Sequence, residues 1–216
     1  MSSKQILLYK MAGLCGVLSP VIAFTCIGLA IFHSPWFSWT RSWLSDLGGT
    51  VGETPVWAAR GIASIIFNAG LIVAGILGIL FVVGIIKSGV LGIRLGRLGS
   101  LLLISDMCAL SAIGVFPETT GNLHVLAATI FFFLVPMSLL FIGVKLRKSS
   151  EKKMGLFMIL LGILSLASLP LLSFPQPLGS NAIIEMFPSV AVSVFAVIFG
   201  IKLFKKAPQI VRDAEG

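Results

Sequence analysis

Long apolar runs separated by short polar segments account for most of the chain, and six of these runs reach helical length. A helix needs about 20 apolar residues to cross a bilayer. The pattern therefore predicts an all-α integral membrane protein, a six-transmembrane-helix bundle that forms a single membrane domain over residues 1–216. The predicted spans cover residues about 11–33, 60–86, 98–116, 123–145, 154–174 and 183–204.

Composition supports the membrane interpretation. The chain is 57% hydrophobic and 11% charged, whereas soluble domains carry about 25% charged residues. An ordinary water-soluble fold is therefore excluded.

The basic residues predict the orientation of the helices. Only Arg41, in the first loop, and Arg60, at the start of the second span, lie on one side, whereas the other lysines and arginines fall at the termini or in and beside the second and fourth loops. Because cytoplasmic loops carry an excess of Lys and Arg, both termini are expected in the cytoplasm and the protein in the cell membrane. The fourteen residues on the cytoplasmic side are Lys4, Lys10, Lys87, Arg94, Arg97, Lys145, Arg147, Lys148, Lys152, Lys153, Lys202, Lys205, Lys206 and Arg212.

The distribution of the basic residues also indicates which binding partners to expect. The net charge is +8, but the basic residues lie in short loops without interleaved aromatic residues, so no nucleic-acid partner is expected. Membrane lipids are the expected partners, because a basic cytoplasmic face attracts anionic headgroups.

The first external loop, residues 34–59, is rich in aromatic residues. Three of its tryptophans are spaced i, i+3, i+7, which places them on one face of a helix. Ser34 fits the N-cap position and Pro35 the first helical position. We therefore predict a short interfacial helix, either an anchor in the outer leaflet or a lid over a cavity. The loop contains all four tryptophans of the chain, Trp36, Trp39, Trp43 and Trp57.

Ionisable and amide side chains inside the predicted spans mark a candidate site, because such groups are costly in lipid. Asp106 lies near the middle of the third span and Asn68 at a similar depth in the second. Glu118, His124 and Glu185 lie near the outer helix ends. Each residue also fits a purely structural role as a helix-bridging or interfacial group. The predicted ligand-binding pocket opens outward and is lined by Asp46, Asn68, Asp106, Glu118, His124 and Glu185.

The sequence predicts neither a metal nor a cofactor. Zinc sites need three or four Cys, His or carboxylate ligands, whereas the chain has two histidines and three cysteines, the latter inside apolar spans. A phosphate-binding glycine loop and a nucleophile elbow are also missing.

Several short motifs carry a family resemblance. They are the segment Trp43-Leu44-Ser45-Asp46-Leu47-Gly48, then Asn68, Asp106, and Phe116-Pro117-Glu118 followed by His124. With these motifs the chain resembles the archaeal and bacterial multi-pass membrane proteins of domain of unknown function 998. The resemblance implies a six-helix fold and specifies no activity.

Three functions remain open alongside a purely structural role. An outward pocket that binds an amphipathic or lipid-like small molecule fits the tryptophan-rich loop above a small polar cluster. A small proton-coupled transporter would use Asp106 as its titrating group, and an outer-leaflet lipid-modifying enzyme would use His124 and Glu118 as acid and base. Whether the protein is an enzyme stays undecided at this point.

Overall fold

The structure is a computed structural model that describes residues 3–92, 94–173 and 181–215. Within these ranges it is all-helical, and six helices are long and apolar enough to cross a membrane. This confirms the predicted fold class and indicates a multi-pass membrane protein. The helices are α1 Ser3–Phe32, α2 Ile62–Ser88, α3 Leu95–Val115, α4 Asn122–Arg147, α5 Lys152–Ser168 and α6 Asn181–Glu215.

Successive helices pack antiparallel, and α6 returns to α1 and also touches α4 and α5. Small residues allow this close packing, as is common in membrane bundles. A Cβ atom on Gly13 of α1 would lie 2.6 Å from the carbonyl oxygen of Gly200 in α6. A Cβ atom on Gly75 of α2 would lie 2.6 Å from the carbonyl oxygen of Met107 in α3.

The antiparallel order gives the bundle two different ends. The proximal end carries both termini and the α2–α3 and α4–α5 loops. The distal end carries the three other connections, and short 3-10 helices occur there at Ser45–Gly48, Glu118–Thr120 and Leu169–Ser173. The last of these follows α5 directly, because Pro170 has no N–H to continue the α-helical ladder.

The predicted helix that starts at Ser34 is wrong over most of its length. Residues 33–44 form turns, and only Ser45–Gly48 is helical. The reason is that side chains take the amides that a helix would bond internally. The N–H of Trp43 donates to Asp46 Oδ2 at 2.8 Å, and the N–H of Leu44 donates to Glu185 Oε2 at 2.6 Å.

Helix ends also differ from the predicted spans. α1 begins at Ser3 rather than near residue 11, and α6 continues to Glu215 rather than ending near residue 204. The α1 extension contains residues with good helix propensity such as Lys4 and Gln5, whereas the α6 extension packs against the bundle through the buried residues Ala207 and Val211. The predicted end of the fifth span, residue 174, lies outside the described residues.

Candidate functional site

The α1–α2 connection, residues 33–61, folds over the distal end and is called here the distal cap. Its side chains Leu44 and Leu47 are buried in the core of the bundle. Asn68 Nδ2 of α2 donates to the Gly48 carbonyl at 3.3 Å, and the N–H of Ala182 in α6 donates to the Ser42 carbonyl at 3.2 Å. The cap is therefore tied to two helices that are far apart in sequence.

Arg60 holds the second half of the distal cap together. Its guanidinium donates to both carboxylate oxygens of Glu53 at 3.0 Å and to Thr50 Oγ1 at 3.2 Å. The guanidinium carbon also lies 3.9 Å from the centre of the Trp36 ring, a cation–π arrangement. The hydrogen bond from Arg60 holds the pKa of Glu53 below its ordinary value, against a smaller opposing effect of burial.

A cavity of about 500 Å³ lies beneath the cap, beside α4. One wall is apolar and comes mainly from α4, whereas the polar lining comes from the cap, α4, α6 and the α3–α4 connection. Val125 and Phe133 on this wall are 60% and 53% exposed, so the cavity is open on the α4 side. The lining residues of this distal cavity are Trp43, Ser45, Val51, Glu118, Gly121, His124, Val125, Ala128, Thr129, Phe132, Phe133, Leu169 and Glu185.

A smaller space of about 60 Å³ continues from the distal cavity toward the bundle interior. It is bounded on its inner side by Phe67, Leu71 and Leu110, which are apolar. The two spaces share five lining residues, Ser45, Ala128, His124, Phe132 and Glu185.

His124 stands at the junction of the two spaces and is only 6% exposed. Its Nδ1 lies 3.0 Å from the carbonyl oxygen of Phe116. Because a carbonyl can only accept, Nδ1 carries the hydrogen and Nε2 is the acceptor in the neutral imidazole. Nε2 has no hydrogen-bond partner in the described part of the chain, so it is free to meet a ligand.

Glu185, in the first turns of α6, joins the cap to the cavity. It is 5% exposed and accepts the N–H of Leu44 through Oε2. Its Oε1 makes no hydrogen bond to any described residue. One carboxylate oxygen is therefore structural and the other is available to the cavity.

Glu118 belongs to the α3–α4 connection, and one of its carboxyl oxygens also lacks a hydrogen-bond partner among the described residues. This oxygen, Oε2, is shielded from solvent. Burial raises the pKa of Glu118 above its ordinary value, and repulsion from Asp46 raises it further, whereas hydrogen bonding with Ser45 and attraction to Arg60 act against this. The distal cavity therefore contains a carboxyl group that takes up a proton more readily than it would in water.

The structure brings together some of the predicted site residues and separates others. Glu118, His124 and Glu185 line the distal cavity. Asp46 does not line it, but its carboxylate is near enough to those of Glu118 and Glu185 for electrostatic repulsion. Asn68 does not line the cavity either, and its side chain donates a hydrogen bond to the Gly48 carbonyl of the cap. A ligand-binding role for any of them stays a prediction.

Asp106 is the predicted site residue that stands apart. It is completely buried in α3, and neither carboxyl oxygen has a hydrogen-bond partner within the described residues. It lines neither the distal cavity nor the smaller space behind it.

Sequence reasoning missed Ser45 and Trp43 as cavity residues. Both belong to the cap segment that carries the family resemblance, and for Trp43 the interpretation of the tryptophan-rich loop as a lid was a second signal. The described residues contain no group of three or more His, Cys, Asp or Glu side chains placed to hold a metal ion.

The family comparison covers most of the chain. A family model described as protein of unknown function (DUF998) matches residues 17–202. No curated protein and no solved structure matches the chain. The matched region includes the cap, the helices that pack beneath it and every lining residue of the distal cavity, and it confirms the resemblance noted in the sequence. The chain therefore belongs to the DUF998 family of proteins of unknown function.

Proposed function

We propose that this membrane protein binds one amphipathic, lipid-like molecule in the distal cavity, with the polar end beside Glu118, His124 and Glu185 and the apolar chain along α4. The observation that carries the proposal is one cavity of about 500 Å³ whose lining is mostly apolar, with α4 as the largest contributor, and includes the three ionisable side chains of Glu118, His124 and Glu185. Ligand sites typically have this size and this combination of many apolar and few polar groups.

The exposed α4 wall supports a ligand that arrives from the membrane. Val125, Thr129 and Phe133 line the cavity and are also exposed on the outside of the bundle. In a bilayer this side of α4 faces acyl chains, so an alkyl chain can remain in contact with lipid while its headgroup enters the cavity.

We place the distal end on the outer side of the cell membrane and both termini in the cytoplasm, on the basis of the basic residues. The test uses a variant without native cysteines and a membrane-impermeant maleimide on intact cells. A Val56→Cys variant in the cap is expected to be labelled, and a Ser150→Cys variant in the α4–α5 loop only after lysis. The reverse result would contradict the orientation.

Ligand binding itself is tested by analysing the lipids that copurify with the protein in nanodiscs. Ala128 lines both the cavity and the space behind it, so Ala128→Phe is expected to fill the site and remove the enriched molecule. Leu126→Phe is the matched control, because Leu126 is 58% exposed on α4 and lines neither space. No enrichment over bulk lipid, or equal enrichment in both variants, would contradict the proposal.

An outer-leaflet lipid-modifying enzyme is the second candidate, and the geometry of His124 favours it. An imidazole oriented by a backbone carbonyl, in a cavity that a protonatable carboxyl group also lines, is suited to acid–base catalysis. Incubation with the copurified molecule should then convert it to a product, and His124→Gln should lose turnover while binding persists. Recovery of the molecule unchanged by the native protein would exclude this candidate.

A further inference from the structure

We infer that the headgroup recognised in the distal cavity is a primary ammonium, so that the ligand class is a long-chain primary amine. This inference rests on the proposed function, because it names the chemistry of the molecule that the cavity takes. It is carried by three hydrogen-bond acceptors without partners that belong to residues around the polar end.

The three acceptors come from three different elements. They are Glu118 Oε2 before α4, His124 Nε2 within α4 and Glu185 Oε1 in α6. His124 and Glu185 are each more than nine-tenths buried and line the cavity. A buried acceptor without a donor, such as Glu118 Oε2, is costly, and a primary ammonium offers three N–H donors and no acceptor.

The charges around the cavity favour a cation over an anion. Two carboxyl groups line it and Asp46 lies close behind, whereas no lysine or arginine is among its described lining residues. Arg60 attracts Glu118 electrostatically, but its guanidinium is bound to Glu53 and lies against the Trp36 ring. A phosphate or carboxylate headgroup would meet repulsion here, and like charges brought together without a partner are strongly unfavourable.

The tryptophan at the cavity adds a further attraction for a cation. Trp43 lines the cavity and is 37% exposed. An indole ring attracts ammonium groups through its negative face, and the attraction increases when water is excluded. Trp43 also provides a fluorescence signal for binding.

The test measures binding of dodecylamine, dodecyltrimethylammonium, dodecanol and dodecanoate to the protein in phosphatidylcholine nanodiscs, with empty nanodiscs as the partition reference. We expect dodecylamine to bind about tenfold more tightly than dodecanol, because hydrogen bonds to charged groups are about twice as strong as neutral ones. The trimethylammonium compound, which has no N–H donors, should bind more weakly than the primary amine. Binding is read from tryptophan fluorescence, with loss of the signal in Trp43→Phe.

Charge-removing variants identify the site. Glu185→Gln and Glu118→Gln each keep an acceptor oxygen but cannot form the carboxylate that pairs with an ammonium, so each should weaken dodecylamine binding about tenfold and change dodecanol binding less than about twofold. Glu151→Gln is the matched control, since Glu151 pairs with Lys202 at the proximal end. Its affinity for dodecylamine should be unchanged.

The outcomes separate this inference from the proposed function. Dodecanol or dodecanoate binding as tightly as dodecylamine would overturn the amine inference and leave amphiphile binding intact. If no compound binds above the empty nanodiscs, both proposals fail. Equal affinity of the primary and trimethylammonium compounds would also overturn the primary-ammonium assignment.

Discussion

Two buried carboxyl groups in this protein have different surroundings. Glu185 lies near the distal end, accepts the N–H of Leu44 at 2.6 Å and lines the distal cavity. Asp106 lies in the middle of α3, and both of its oxygens lack a hydrogen-bond partner within the described residues. Burial of an acid therefore does not by itself identify a site in this bundle. The contact with a folded loop distinguishes the two residues.

Removing the hydrogen bond between Glu185 and the cap should have the largest effect on stability. In Glu185→Leu the N–H of Leu44 loses its acceptor in a buried position, and we expect a loss of about 2–3 kcal/mol in the free energy of unfolding. Reversible unfolding in mixtures of SDS and mild detergent measures it. Glu185→Gln keeps an acceptor and should lose less than half as much. Equal losses in both variants would mean that the hydrogen bond to the cap is not the important contact.

Replacing Asp106 with an apolar residue should increase stability. Asp106→Val replaces a buried polar group that has no partner, so the same measurement should show about 1–2 kcal/mol greater stability. Asp106→Asn, which preserves the shape and keeps a buried polar group, should change stability less than Asp106→Val does. A large destabilisation in both variants would contradict the comparison, because it would indicate that the carboxyl group has an essential partner.

The same comparison shows which parts of the structure were predictable from the sequence. Six helices follow from six apolar runs, because apolar length is what a bilayer requires. The full length of α6 was not predictable from hydropathy, since its end is held by tertiary packing of Leu203, Ala207 and Val211, all buried and four residues apart.

The candidate site was predictable in position but not in shape. Position near the span ends indicated that Glu118, His124 and Glu185 lie at one end of the bundle, where the structure has them. The fold of the cap was not predictable, because its geometry depends on a hydrogen bond between Leu44 and a residue 141 positions away. Helical spacing of the tryptophans is a local signal, and this long-range contact overrides it.

Loosening the cap at Arg60 should have a smaller effect than removing the Glu185 contact. The Arg60 and Glu53 side chains are 20% and 35% exposed, and partly exposed ion pairs and cation–π contacts contribute only about 1 kcal/mol. Arg60→Gln should therefore increase amide hydrogen exchange in residues 50–61 and leave α4 and α6 unchanged. Faster exchange along α6 would show that the cap and the bundle are coupled more strongly than we describe.

The smallest expected effect is a dependence of stability on pH through Glu118. Its raised pKa means that the folded state holds this proton more tightly than the unfolded state. The contribution of Glu118 to stability is therefore complete below the ordinary value of 4.5 and is lost as pH rises through the raised value. Glu118→Gln should remove this part of the decline, and identical pH profiles would contradict the assignment. The other ionisable groups near Glu118 are unchanged in Glu118→Gln, so they do not account for a difference between the two pH profiles. They are Asp46, Glu53, Arg60, His124 and Glu185.

The most direct test of the central claim is a high-resolution structure of the protein in lipid nanodiscs, examined for density in the distal cavity. We expect an elongated density that ends beside His124 and Glu185 and runs along Phe132 and Phe133. A cavity that is closed by side chains, or that holds only separate water-sized peaks, would contradict the claim that this protein binds an amphipathic molecule there.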